Sequence, residues 1–561
     1  MTASLVIPPG VLLIGGGLIL PLLQGWLRHV AILILPLATL YLVWQVPDGI
    51  ALAVPFLDYE LALVKGDALS RLFATIFAAM AFAGGLFALN QKQTVELAAA
   101  FCYAGGAIGV VFAGDLLTLF VFWEMMAIAS TLVIWSAGSS ARAAGLRYAV
   151  IHLFGGVLLM AGITGEIANT GSLAFGKMAL DTVPRWLILA GFLVNAAAPP
   201  FSSWLPDAYV ESSWSGMVFL SAFTTKTAVY VLLRGFPGTE LLIYLGLFMV
   251  FYGIVYAILE NDMRRILAYS IVNQVGFMVT GIGIGTEMAL NGAAAHAFAH
   301  IIYKALLLMS AGSVLYMTGK RKCTDLGGLF RTMPLTTVCG IVGALSISAF
   351  PLTSGFISKS MISEAAGMER LEVVWYLLAA ASAGVFLHAG VKFPWFVFFQ
   401  KDSGLRPPDP PWNMRAAMLF FSALCLGLGV APGPLYAILP FAVHFEPYTG
   451  PHVVFQLQLL LFSGLAFFLM LGWLQRTLTI TLDIDWFYRR LGVVLVRRLD
   501  HWVQNLRSGL AAAATHGAQA GTSWLQRHHG ADGVLARTWP TGLMALWTTI
   551  ILAAYLVLSY W

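Results

Sequence analysis

Residues 291–309 read NGAAAHAFAHIIYKALLLM. The segment is long and apolar enough to cross a bilayer, whose hydrocarbon core takes ~20 helical residues. It nevertheless carries His296, His300 and Lys304 at i, i+4 and i+8. That spacing puts them on one stripe of one helix, ~6 Å apart along its axis. A charge at the bilayer centre costs at least ~2.5–3.5 kcal/mol on insertion scales, so such a stripe needs a reason. Histidine titrates near neutral pH, and desolvation makes a buried ammonium easier to deprotonate. A ladder of this kind suits proton hopping through intervening water. A metal site is the runner-up reading of His296 and His300, but no carboxylate or Cys adjoins them in sequence, and no metal is assigned.

Similar apolar runs recur near residues 4–23, 29–46, 69–90, 95–113, 115–136, 147–168, 186–203, 217–234, 241–259, 265–285, 291–316, 335–364, 374–398, 413–434, 454–474 and 541–560. They predict an all-α polytopic membrane protein of about 16 transmembrane helices. The composition agrees: 59% of the 561 residues are hydrophobic and only 10% charged, well under half the ~25% of a soluble domain. Disorder, a disulfide scaffold and a soluble multidomain enzyme are excluded, and the ~10-residue alternating segments of a membrane barrel are absent from the sequence. A net charge of +5 does not point to nucleic acid. The cysteines, Cys102, Cys323, Cys339 and Cys425, form no CxxC and read as small core residues. The opening MTASLVIPPG has no charged n-region, so the first run reads as a retained span.

Orientation follows the basic residues. Thirteen fall in loops after odd-numbered runs (Arg28, Lys92 and Lys320 among them) and six in loops after even-numbered runs. The odd side is therefore predicted cytoplasmic, with both termini outside.

Four lysines lie within runs: Lys226, Lys304, Lys359 and Lys392. Glu124 is the acidic residue at mid-run, and His152 and His388 are also within runs. Lys392 lies six positions short of a run's end, where snorkelling to the interface competes with a functional reading. Glu124 and Lys226 are too deep for that, and a structural ion pair between them is the alternative to a conducting role. Two runs are interrupted, GFLVNAAAPPFSSWLPDAY by Pro199–Pro200 and SISAFPLTSGFISKS by Pro351 and Gly355. Backbone freed by such breaks is tolerated only inside protein or beside a wet cavity. The breaks are five runs apart, and five is odd. Runs 4–8 and 9–13 therefore read as two inverted five-helix repeats, the pattern of a transporter with its path at the repeat interface.

FVFWEMMAIAS around Glu124, WLPDAY at 204–209, FLSAFTTKTAVYVLLR around Lys226, ILAYSIVNQVGFM at 266–278, HAFAHIIYKALLL at 296–308 and PLTSGFISKS at 351–360 together resemble one family. It is the antiporter-like membrane subunits shared by Mrp-type Na+/H+ antiporters and the proton-pumping subunits of respiratory complex I. The likeness covers roughly residues 95–400 and is closest to the D-type subunits of Mrp antiporters. It implies conducting roles for Glu124, Lys226, His296, His300, Lys304 and Lys359, with Lys359 ending the path. It also implies a lysine in the broken seventh helix, where this chain has Asn195. Either Glu124 pairs directly with Lys226, or His152 serves the inlet half. His388 and Lys392 are further auxiliary candidates.

Residues 484–535, with Arg489, Arg490, Arg497, Arg498 and Arg507 among Trp486, Phe487, Leu491 and Val494, predict an amphipathic surface helix broken near Gly517–Gly521. It resembles the lateral helix of the distal complex I subunit, with a solvated linker as the bland alternative. The expected organisation is N-terminal helices 1–93, first repeat 94–238, second repeat 239–400, added helices 401–480, lateral helix 481–540 and a last span 541–561.

The resemblance implies a proton-translocating subunit of a multi-subunit antiporter in a bacterial inner membrane. Its partners would be other membrane subunits, the lipid bilayer and protons, with Na+ as a second candidate cargo. The alternatives are a pumping arm of a complex I-like or hydrogenase-like redox complex, or the proton-coupled subunit of an inorganic carbon uptake system. No flavin, iron–sulfur or nicotinamide motif is present, and GIGIG at 281–285 lies in an apolar run without a preceding strand. No cofactor is therefore assigned to this chain.

Overall fold

The structure, a computed structural model, describes residues 7–474 and 482–561. The first residues of the 4–23 run and the expected 480/481 boundary lie outside the described residues. Contacts divide the chain into Met1–Asp485 and Trp486–Trp561.

The first unit opens with α1 (Pro9–Ile19) and α2 (Gly25–Gln45). An antiparallel hairpin follows, β1 (Gly49–Phe56) and β2 (Tyr59–Gly66), between the second and third apolar runs. Next come α3 (Ala68–Phe87), α4 (Thr94–Phe112), α5 (Leu116–Trp135), α6 (Arg142–Thr170), α7 (Val183–Asn195) and short α8 (Trp204–Ala208). The eighth run, read as one helix, is two: α9 (Gly216–Leu220) and α10 (Thr224–Gly235). They are followed by α11 (Leu241–Leu259), α12 (Met263–Ile284), α13 (Glu287–Thr318), α14 (Pro334–Ile347), α15 (Ser354–Met368) and α16 (Glu372–Val385). π-helical turns over Phe386–Lys392 and Trp395–Phe399 continue α16, and α17 (Trp412–Val430), α18 (Gly433–Tyr436) and α19 (Gly450–Leu469) complete the unit.

Among the described residues, thirteen helices are long and apolar enough to cross a membrane. Three shorter apolar helices, Pro9–Leu22, Val183–Asn195 and Pro334–Ile347, accompany them. The protein is therefore a multi-pass helical membrane protein.

Local chemistry sets the helix ends. Asp67 and Ser70 form a reciprocal capping box at α3, Asp115 caps α5 through Thr118 N–H, and Asp262 caps α12. The core lies along α12 and α13, which are buried almost throughout. α11 and α12 meet at Gly246 and Gly276, where a Cβ on either would stand 2.6 Å from the other's carbonyl oxygen. Small residues at such a crossing allow backbones to pack without a polar driving force.

The two proline-marked breaks share one backbone solution. α7 ends at Asn195 and α14 at Ile347; two residues on, Ala197 (φ 58°) and Ala349 (φ 57°) are both left-handed. In each, the following residue donates back five positions, Ala198 to Leu193 and Phe350 to Leu345, both at 3.0 Å. Left-handed backbone costs a non-glycine residue ~1–2 kcal/mol, so both strained turns are held by what surrounds them.

The second unit begins with a π-helical turn at Phe487–Leu491 and α20 (Gly492–His529), and ends with α21 (Thr541–Ser559). The expected break at Gly517–Gly521 does not occur; α20 runs unbroken for 38 residues, ~57 Å. Glycine costs a helix only ~1 kcal/mol against alanine, and the flanking Ala511–Ala514 run offsets it.

Candidate functional site

The stripe of α13 faces the protein interior: His296, His300 and Lys304 are all fully buried. His296 Nδ1 lies 3.0 Å from Ser358 Oγ on α15, and its Nε2 lies 3.1 Å from Gln274 Oε1 on α12. Tyr303 donates to the same Gln274 oxygen at 3.1 Å. Lys304 Nζ donates to Ser270 Oγ at 2.8 Å and to the Leu267 carbonyl at 3.2 Å. His300 stands between them with neither ring nitrogen hydrogen-bonded, within Coulombic range of Lys226, Lys304, His296 and Lys359. A buried imidazole with two open nitrogens is an uncommon state.

Lys226 and Lys359 stand in matching settings, each at the C-terminal end of a half-helix. Lys226 Nζ donates to Ser221 O at 2.6 Å, just past α9, and to Thr225 Oγ1 at 3.1 Å. Lys359 Nζ donates to Ile347 O at 3.1 Å, the last residue of α14, and lies 4.6 Å over the Phe277 ring. Carbonyls at a helix C-terminus carry partial negative charge and favour a cation. The eighth-run break was missed because Ser221–Phe223 contains neither Pro nor Gly.

Glu124 and Lys226 are not paired. One carboxylate oxygen of Glu124 has no hydrogen-bond partner, and the lysine's Nζ bonds Ser221 O and Thr225 Oγ1 instead. The carboxylate sits instead against Gly156 of α6, whose absent Cβ would stand 2.0 Å from Oε1. It lines a lateral groove between α5 and α6 with Thr131, Trp135, Val150 and Leu153. Matched depth in the membrane is not matched direction: the Glu124 carboxylate lies at the α5–α6 contact.

The auxiliary residues divide. His152 is buried, its ring stacked on Tyr148 at 3.9 Å with Nδ1 bonded to the Tyr148 carbonyl and Nε2 open. Asn195, the last residue of α7, is buried with Oδ1 unpartnered. His388 is buried in the π-helical turn, with Nδ1 bonded to Gly384 O at 2.9 Å and Nε2 open. Lys392 does not snorkel. Its Nζ donates to three carbonyls at the end of α11: Ala257 at 3.2 Å, Ile258, and Glu260 at 2.6 Å. Backbone carbonyls, not solvent, take its hydrogens, which disfavours the snorkelling alternative.

Several polar partners escaped the sequence reading. Gln274, Tyr303 and Ser358 join the stripe to α12 and α15, and Glu96, buried at the start of α4, accepts from Gln91, Ser213 and Ser215. Ser270 and Gln274, four apart in one run, were the readable signal for the first of these. Among the described residues no three His, Cys, Asp or Glu side chains group to hold a metal, and the His296–His300 pair gains no third ligand.

Residues 113–387 match the NADH:quinone oxidoreductase/Mrp antiporter transmembrane family. The chain is 31% identical over 372 residues to a Na(+)/H(+) antiporter subunit (type D) of Alkalihalophilus pseudofirmus, covering 61% of this chain and 71% of that protein. The chain belongs to this family. It is also 30% identical over 412 residues to a probable K(+)/H(+) antiporter subunit (type A/B) of Rhizobium meliloti, covering 68% of this chain but only 41% of that protein. In fold it is similar to a chain of the Mrp complex from Dietzia sp. DQ12-45-1b, with a TM-score of 0.73, 23% identity, and 98% of this chain and 62% of that chain covered. It is likewise similar to a chain of the membrane-bound sulfane sulfur reductase, an archaeal respiratory membrane complex. There the TM-score is 0.71 and the identity 23%, with 98% and 99% of the two chains covered. Both structures are multi-subunit membrane complexes.

Proposed function

We propose that this chain is a proton-translocating subunit of a multi-subunit cation/proton antiporter. The observation that carries the proposal is the buried line of titratable side chains through the middle of the helix bundle. Lys226 stands at one helix break, Lys304, His300 and His296 follow along α13, and Lys359 stands at the second break. Lys226 and Lys359 each donate to a helix-end carbonyl and Lys304 donates to Ser270 Oγ and the Leu267 carbonyl, so all three ammonium groups are held by neutral oxygens. His300, with two open nitrogens, relays between them. A proton enters from the cytoplasm toward Lys226, crosses α13 and leaves by Lys359.

The matched turns at Ala197 and Ala349 support reading 94–238 and 239–400 as inverted repeats. In this reading the three shorter apolar helices complete sixteen spans. The remaining segments are 1–93, 401–480, 481–540 as a lateral helix, and 541–561. The chain lies in a bacterial inner membrane with both termini outside, as the Lys/Arg distribution favours. Protons are the cargo, and Na+ is the candidate counter-ion, as the name of the Alkalihalophilus pseudofirmus relative suggests.

The family, which includes NADH:quinone oxidoreductase, and the fold likeness to a respiratory complex favour one second reading, a pumping arm of a redox complex. Flux through the intact complex in sealed vesicles separates the two. Proton movement driven by an imposed Na+ or K+ gradient supports the antiporter. Movement only with an electron donor supports the redox arm.

A further inference from the structure

Lys359, Ser360, Ser363 and Glu364 recur at i, i+1, i+4 and i+5 on α15, one helix face. That face, with α16 and α19, encloses a cavity of about 300 Å³ that opens beside the exposed Glu364. The family match ends at residue 387, so α19 lies beyond it. α19 nevertheless reaches the broken helix: Gln456 Nε2 donates at 3.3 Å to Ser348 O, the carbonyl next to the one that holds Lys359.

Four of the lining side chains, Ser360, Ser363, His452 and Gln456, donate hydrogens to backbone carbonyls and so turn lone pairs to the space. Ser360 donates its hydroxyl hydrogen to Phe356 O, and Ser363 donates to Lys359 O at 3.4 Å. Gln456 turns its amide nitrogen to Ser348, so its oxygen faces the other way. His452 donates from Nδ1 to Pro447 O at 2.8 Å while stacked on Phe356, which leaves Nε2 as an acceptor in the neutral ring. Glu364 adds a carboxylate at the rim. Lys359 at the inner end is the cation facing these acceptors.

We infer that this cavity is a hydrated port for small monovalent cations on the outer face of the membrane, built by α15 and α19. The inference rests on the proposed function for its sidedness and for the proton on Lys359. Acceptors around a water-filled space stabilise a monovalent cation. A cation in the port and a proton on Lys359 repel each other, so the two exclude one another. That mutual exclusion couples the counter-ion to the proton at the outer end of the path.

Thiol labelling of the assembled complex in sealed vesicles of known orientation tests this. Ser363→Cys and, separately, Ser360→Cys are treated with a membrane-impermeant cationic methanethiosulfonate (ethyltrimethylammonium) or its anionic counterpart (ethylsulfonate). In either reaction the cysteine thiolate forms a mixed disulfide and methanesulfinate leaves. The wild-type complex, in which this chain's four cysteines are free thiols, sets the background. The port predicts labelling from the outer face only, with the cationic reagent ~10-fold or more faster once each rate, here and below, is divided by that reagent's rate with a small free thiol. Glu364→Gln in the same background should bring the two rates together. Labelling of neither cysteine, labelling from the cytoplasmic face alone, or equal rates with Glu364 intact would overturn the port. A wild-type complex that moves no protons, together with cysteine variants that show the outer cationic preference, would refute the proposed function and leave the port standing.

Discussion

His296 Nδ1 lies 3.0 Å from Ser358 Oγ, which ties the α13 stripe to the helix of Lys359 one residue before that lysine. Among the described residues Ser358 otherwise bonds back to the Ser354 and Gly355 carbonyls of its own helix. Removing its hydroxyl costs ~1 kcal/mol at that step, about fivefold in rate. Ser358→Ala should therefore lower proton flux several-fold at an equal amount of assembled complex. Unchanged flux would mean that the proton leaves α13 by another contact.

Glu124 is held by space rather than by charge. A Cβ at Gly156 would stand 2.0 Å from its Oε1, so Gly156→Ala must push the carboxylate out of its seat. If Glu124 serves transport from that seat, Gly156→Ala and Glu124→Gln should depress flux to similar extents. Full flux in both variants would remove Glu124 from the path.

Lys392 is expected to matter for stability. Lys392→Ala leaves the carbonyls of Ala257, Ile258 and Glu260 without their shared donor. Each buried group left unpaired costs ~1–3 kcal/mol, so the thermal unfolding midpoint of the complex should fall by several degrees. Lys359→Ala, by contrast, should assemble normally and lose flux. A stable, fully active Lys392→Ala complex would contradict this capping role.

Asp483 accepts from Tyr252 at 2.7 Å and Tyr269 at 2.6 Å, clamping the chain before the second unit onto α11 and α12. Hydrogen bonds to a charged group are worth ~1.5–3 kcal/mol each. Asp483→Ala should therefore destabilise the complex more than Asp483→Asn, which keeps an acceptor. Wild-type midpoints for both variants in thermal unfolding would show the clamp to be dispensable.

The apolar runs, the proline-marked breaks and the α13 stripe were legible in the sequence because each rests on local spacing. What was missed depends on direction or on weak punctuation. The hairpin at 49–66 turns through Leu57 and Asp58, with Leu57 at φ 54°, and offers none of the Asn-Gly signals that mark a two-residue turn. Glu124 and Lys226 share a depth, but the rotation of α5 sends the carboxylate to a lateral groove. Lys392 looked free to snorkel because the end of α11, more than a hundred residues away in sequence, cannot be seen from its own run. Glycines 517 and 521 looked like a break, yet without a proline or a left-handed cap they do not end a helix.

The central claim is that protons pass between Lys226 and Lys359 through the α13 stripe. It is tested most directly by proton flux in sealed vesicles carrying equal amounts of assembled complex, wild type against Lys226→Ala. The account predicts that the variant assembles and conducts at background level. A Lys226→Ala complex that moves protons at the wild-type rate would contradict it.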